Sequence, residues 1–318
     1  MTKMIPGIHH VTAIASDPQR NLDFYTGVLG LRLVKLTVNF DDPGTYHFYF
    51  GDQIGSPGTI LTFFPWPGAR RGGWGNGQVA VTSFSIPEGA TAYWKKRLKE
   101  QGVSFGEPQR RFDEQALVLL DPDGLQLELV AHAGAQAHIP WEDGPVPAAY
   151  AIRGFHSVTL WEQDYERTAE LLTGTLGLRL VQELGKRYRF AAASDDPGTL
   201  VDVIHRPQEN PGWSGAGTVH HIAWRTPNDK EQLAWQQEIA DLGLRVTPVM
   251  DRQYFHSIYF REAGGVLFEI ATDPPGFTLD ETPEELGHHL KLPPWLEPRR
   301  AEIERTLPQL RWVKENVP

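Results

Sequence analysis

Apolar and polar positions alternate through "GIHHVTAIA" from Gly7 and again through "GFHSVTLW" from Gly154, the period of a strand with one buried face. Behind each strand the period lengthens. In "PQRNLDFYTGVLGL" and "DYERTAELLTGTLGL" apolar residues return every three or four positions, which predicts an amphipathic helix of about three turns. The same change of period follows "GQVAVTSFSIPEG" and "GTVHHIAWRTPND", into "YWKKRLKEQGV" and "AWQQEIADLGL". All four helices run into a glycine ("VLGL", "EQGV", "TLGL", "DLGL"), the residue that a left-handed cap favours. Alternating segments joined by Gly-rich turns come next, so each unit reads βαβββ.

The units are therefore repeats of one another. Residues from Gly7 to Val34 stay in step with those from Gly154 onward and share "TG-LGLRLV", while "DPDGLQLELV" matches "REAGGVLFEI". The chain divides into modules at 1–66, 75–134, 153–206 and 216–273, followed by a tail at 274–318. "PWPGARRGGWGNG" and "AGAQAHIPWEDGPVPAAY" are Pro/Gly-rich linkers. The tail is predicted to hold one or two helices, broken at Pro294 and Pro298, with Thr282 and Glu285 as a capping box. The predicted fold class is α+β: four βαβββ modules pairing into two cupped mixed β-sheets, with a C-terminal helical tail.

Composition narrows the partners. The 318 residues suit about two compact domains, and 40% hydrophobic with 22% charged residues is ordinary globular usage. A net charge of −10 without a basic run speaks against nucleic acid. The absence of cysteine removes disulfides, thiolate metal sites and a cysteine nucleophile, in keeping with a reducing cytoplasm. "MTKMIPGIHH" has no apolar signal-peptide core and no run of about 18 apolar residues occurs, so the expectation is a cytoplasmic protein with no membrane partner. Ten tryptophans and fifteen phenylalanines suit aromatic cores or aromatic-lined pockets alike.

Paired βαβββ units resemble the vicinal oxygen chelate superfamily of glyoxalase I, extradiol dioxygenases and bleomycin-resistance proteins. The resemblance implies that two modules form a cup with metal ligands on their first and last strands. The first-strand positions are His10, Val81, Ser157 and His221; the last-strand positions, four residues past a glycine, are Thr62, Glu128, Asp202 and Glu269. Pairing modules one with two, or three with four, offers one histidine per cup. Pairing modules one and four assembles His10, His221 and Glu269, and leaves modules two and three with no histidine. Two imidazoles and a carboxylate leave about three open positions on an octahedral metal, as non-haem Fe(II) oxygenases require. Fe(II) is the first choice and Mn(II) the second; a hydrolytic Zn site could use the same ligands.

Other candidates surround this set. A hairpin turning at Gly264 puts Tyr259 opposite Glu269, where its phenol could bond a substrate oxygen or anchor the sheet; Val118 is the equivalent beside Glu128. Arg252 could neutralise an anionic hydroxyl or form a surface ion pair. His9 and His220 precede the ligands, and strict alternation turns them to the opposite face unless a bulge intervenes. His288 and His289 read as a solvated face of the tail, which could close the cup as a lid.

"VNFDDPGTYHFYFGDQIGSPGTILTFFPWP" and "SIYFREAGGVLFEIATDPPGF" are similar to the hydroquinone-type ring-cleaving dioxygenases over nearly the whole chain. That likeness implies metal ligands at His10, His221 and Glu269 and catalytic neighbours at His9, Arg252 and Tyr259. It also implies substrate-facing or supporting roles for His220 and His256, although His256 stands where Arg or Lys is expected. The implied partners are a small aromatic, O2 and further copies of the chain in a homo-oligomer. A glyoxalase-like lyase or isomerase is the alternative enzyme, against which Thr62 counts. A metal-free protein that sequesters an aromatic toxin is the alternative from another class.

Overall fold

The computed structural model describes residues 4–192 and 198–311. The first unit supplies β1 (Ile8–Ala15), β2 (Arg32–Asn39), β3 (Asp42–Gly51) and β4 (Ile60–Pro65); the second, β5 (Gln78–Pro87), β6 (Gln109–Arg111), β7 (Glu114–Leu120) and β8 (Gln126–His132). The third supplies β9 (Phe155–Glu162), β10 (Arg179–Leu184), β11 (Arg187–Ala191) and β12 (Leu200–His205); the fourth, β13 (Thr218–Thr226), β14 (Met250–Asp251), β15 (His256–Arg261) and β16 (Leu267–Thr272). Behind each first strand lies a helix: α1 (Pro18–Leu22), α2 (Thr91–Glu100), α3 (Tyr165–Glu170) and α4 (Asp229–Asp241). Wider π-helical turns over Asp23–Val28 and Leu171–Thr175 extend α1 and α3. Gly30, Gly102, Gly177 and Gly243 then take φ of 70°, 67°, 77° and 77°, left-handed exits that other residues rarely adopt.

The sixteen strands form two curled eight-stranded sheets. One runs β14-β15-β16-β13-β1-β4-β3-β2, the other β10-β11-β12-β9-β5-β8-β7-β6. Strands β1–β4 and β13–β16 therefore build the first sheet, and β5–β12 the second. Within a unit the first and last strands pair in parallel; β1 meets β13, and β5 meets β9, antiparallel. Strands β1, β2 and β5 are buried along their whole length rather than on alternate residues, because the curl encloses the inner face as well. On the outer face the helices plug the core with Trp94 and Trp235, at most 1% exposed, and truncating either to Ala would cost about 3–5 kcal/mol.

The tail follows the edge of β2. Arg32 donates to the carbonyls of Pro283 and Glu284, Leu290 bridges to Leu36, and wholly buried Lys35 pairs with Asp280 and Glu281. Its described part contains one α-helix, α5 (Arg300–Thr306). The predicted capping box at Thr282 closes only a turn, with Glu285 N–H donating to the Thr282 carbonyl at 3.0 Å. Bound by a buried ion pair, the tail clamps the sheet edge, and its Phe277 packs 5.0 Å from the Tyr49 ring. No helix among the described residues is long and apolar enough to cross a membrane.

Candidate metal centre

Strand register lays two transverse rows on the inner face of the first sheet. One runs Tyr259, Glu269, Ala223, His10 across β15, β16, β13 and β1. The other runs Tyr49, Thr62, Thr12, His221 across β3, β4, β1 and β13. An approximate twofold between β1 and β13 thus exchanges His10 with His221, Glu269 with Thr62, Tyr259 with Tyr49 and Ala223 with Thr12. Only one half of the pair carries a carboxylate.

His221 Nε2 lies 2.9 Å and His10 Nε2 3.4 Å from Glu269 Oε2, and the two nitrogens are 3.4 Å apart. All three residues are buried, and their donor atoms fall within 4.8 Å of one another. Ser257 Oγ donates to Glu269 Oε1, but Oε2 has no partner in hydrogen-bonding geometry. An orphaned carboxylate oxygen facing two imidazole nitrogens is costly in a dry interior, and a divalent cation among the three would satisfy it. Burial alone would raise the Glu269 pKa; the His10 and His221 imidazoles outweigh it and hold the carboxyl well below the usual range. The residues fit a metal with open coordination positions.

The histidine doublets owe their shape to bulges. Residue His9 is extra between the pairs Ile8–Trp224 and His10–Ala223, and His220 is extra between Ala13–Val219 and Thr12–His221. Each bulge turns the preceding ring toward its neighbour: His9 Nδ1 lies 2.9 Å from His10 Nδ1, and His220 Nδ1 lies 2.8 Å from His221 Nδ1. Burial, then the adjacent histidine, lowers His9 well below the ordinary imidazole value and His220 to about 3, so both rings are neutral. The 2.9 Å His9–His10 contact suits the tautomer in which His10 Nδ1–H donates to His9 Nδ1. That tautomer leaves the His10 Nε2 lone pair for a metal.

Tyr259 pairs with Glu269 in register, as the hairpin reading anticipates, and Val118 pairs with Glu128. Its phenol accepts from Arg252 Nε at 3.1 Å, while Arg252 Nη1 reaches Asp41 at 3.0 Å. Burial and the Glu269 charge push the Tyr259 pKa up, so the phenol stays protonated. Of the two readings of Arg252, the ion pair has its partner in Asp41. His256 is the correction: its Nδ1 lies 2.6 Å from Asp229, the first residue of α4, so the ring sits on the helix side of the sheet, outside the cup.

Three residues of the cup, His47, Tyr49 and Phe255, escape the sequence reading. His47 Nε2 lies 2.8 Å from Thr62 Oγ1, its Nδ1 lies 2.9 Å from the Tyr49 hydroxyl, and Thr62 bonds on to Thr12 at 2.9 Å. Burial, then His10 and His221, keep His47 neutral. The signal was present: by the internal repeat, His47 and Tyr49 correspond to Ser257 and Tyr259. Phe255 completes the wall, about 5 Å from the rings of His9 and His10.

The second cup keeps the bulges, at Ala80 and His156, but carries Val81 and Ser157 at the ligand positions. Arginines occupy it instead. Arg111 grips both oxygens of Glu128 at 2.7 and 2.6 Å, and Arg189 and Arg187 hold Asp202 at 2.7 and 2.6 Å. Burial opposes ionisation of both carboxyls, but the guanidinium groups prevail and hold them below their ordinary values.

The family described as Glyoxalase/Bleomycin resistance protein/Dioxygenase superfamily matches residues 7–129 and 154–279. The chain is 53% identical over 307 residues to a Bacillus subtilis (strain 168) protein, MhqO, assigned by name to the ring-cleaving dioxygenases, covering 96% of this chain and 97% of that one. It is 34% identical over 318 residues to a chlorohydroquinone/hydroquinone 1,2-dioxygenase of Sphingobium indicum, covering 96% and 97%. A crystal structure from Bacillus subtilis subsp. subtilis str. 168, assigned by title as a dioxygenase, superposes with a TM-score of 0.93 at 51% identity, covering 98% of this chain and 99% of that chain.

Proposed function

The chain belongs to the glyoxalase/bleomycin resistance protein/dioxygenase superfamily, and from that premise we propose that it is an Fe(II)-dependent dioxygenase that opens the ring of a hydroquinone or catechol. The observation that carries the reading is the convergence of His10 Nε2, His221 Nε2 and the unpartnered Glu269 Oε2. Fe(II), with Mn(II) as second choice, would supply open positions where an aromatic hydroxyl and O2 meet and exchange electrons. Both oxygen atoms enter the product, so no external reductant is needed.

The protein's own side chains then have separable tasks. His9 and His220 fix the tautomers of the two imidazoles through their Nδ1 atoms. Arg252, always cationic, lowers the cost of an ionised aromatic hydroxyl, and the protonated Tyr259 phenol donates to an oxygen bound beside it. Phe255 supplies an apolar wall for the ring. Thr62 and His47 add no charge to the opposite half, which leaves a glyoxalase-type lyase without its second carboxylate.

Loading the protein with Fe(II) anaerobically and then admitting O2 tests the reading in an oxygen electrode. Uptake is expected with at least one member of a panel of hydroquinones, catechols and chlorinated hydroquinones. No uptake with any of them would reject it.

A further inference from the structure

The two cups differ in what reaches the carboxylate of the last strand. Arg111 and Arg252 hold corresponding places, at the end of β6 and just beyond β14. Each precedes a residue in the left-handed region: Phe112 at φ 50° and Gln253 at φ 66°, the two non-glycine residues with positive φ among those described. In the second cup the residue opposite Glu128 is Val118, which offers no polar atom, and Arg111 closes on both carboxylate oxygens. In the first cup the residue opposite Glu269 is Tyr259. Arg252 stops at its phenol oxygen and at Asp41, and Glu269 Oε2 is left without a partner.

We propose that Tyr259 is a positioning residue that holds Arg252 off Glu269 and so keeps the site open to a divalent cation. Without the phenol, the guanidinium folds onto Glu269 as Arg111 does onto Glu128, and the metal cup becomes a second silent one. A guanidinium fork matches a carboxylate with two parallel hydrogen bonds, so it competes with the metal for the same oxygens. Whatever that ion pair gains is lost from metal affinity. The inference rests on the reading of His10, His221 and Glu269 as metal ligands, and is indifferent to the reaction catalysed there.

Equilibrium dialysis of the full chain against Mn(II) is the test. Tyr259→Val and Tyr259→Phe are expected to weaken Mn(II) binding by about 10-fold or more. The double variant Tyr259→Val, Arg252→Met should return to within about 3-fold of the unaltered chain, and Arg252→Met alone should bind no more weakly. Undiminished binding by both Tyr259 variants overturns the proposal. So does weakening that Arg252→Met fails to rescue, because a merely structural tyrosine would behave that way. If the unaltered chain binds no Mn(II), the metal reading itself falls and takes the gate with it.

Discussion

Thr62 stands at the strand position where the other three units carry Glu128, Asp202 and Glu269, and it limits the number of protein donors at the proposed metal site. Its hydroxyl is tied to His47 and Thr12, so this half of the cup offers neutral oxygen and no carboxylate. Thr62→Glu would add a fourth anionic or imidazole donor to His10, His221 and Glu269 and remove one of the open positions. Tighter metal retention is expected with aromatic-dependent O2 uptake abolished; retained uptake would show that the open position on that side is not used. The opposite change, Glu269→Gln, removes the buried charge on which the imidazoles converge. Metal affinity should fall by more than about 100-fold in the same dialysis measurement.

At the scale of elements, the bulged strand pair is common to both sheets, and the side chains that fill each cup make the difference. Arg111→Met would strip the bidentate partner from a buried Glu128 and leave it Ser83 alone. The expected loss is about 3–5 kcal/mol of unfolding free energy in urea, with metal content unchanged. A loss below about 1 kcal/mol would mean that the cluster relaxes or hydrates freely. The pairing of first with last units could be read in advance because the family resemblance implies two ligand positions in each of the four units, and only one combination gathers two histidines. The bulges at His9 and His220 could not, because a bulge is a property of two registers and neither strand carries a glycine or proline to mark it. His47 and Arg111 were less legible for another reason: both sit on strands that carry no ligand position. His256 misled because its neighbour Ser257, not the histidine, faces the cup; a one-residue shift in a strand reverses the face.

Across the whole molecule the two sheets meet along a seam that holds one carboxyl in an unusual state. Glu162, at the end of β9, is 1% exposed, and neither of its oxygens finds a hydrogen-bond partner. It lies against Gly264 of the first sheet, where any added Cβ would come within 1.9 Å of its carboxyl. The hairpin carboxyl Glu262, held by Thr168, Gly264 N–H and Val266 N–H, faces the same region. Burial, then repulsion from Glu262 and Asp164, raises the Glu162 pKa to about 9. An unfolded glutamate titrates near about 4.3, so between those values the native chain keeps a proton that the unfolded chain has released. Stability contributed by the protonated carboxyl is fully present below the unfolded value and is lost progressively as pH rises toward 9. Glu162→Gln is uncharged in both states and nearly the same shape, so its stability should not share that decline. Thermal unfolding of the two proteins should therefore give nearly equal midpoints at about pH 4 and a variant that melts higher by several degrees at about pH 8. Parallel pH profiles would show that Glu162 is hydrated or paired in the folded protein, and that the seam between the sheets tolerates its charge.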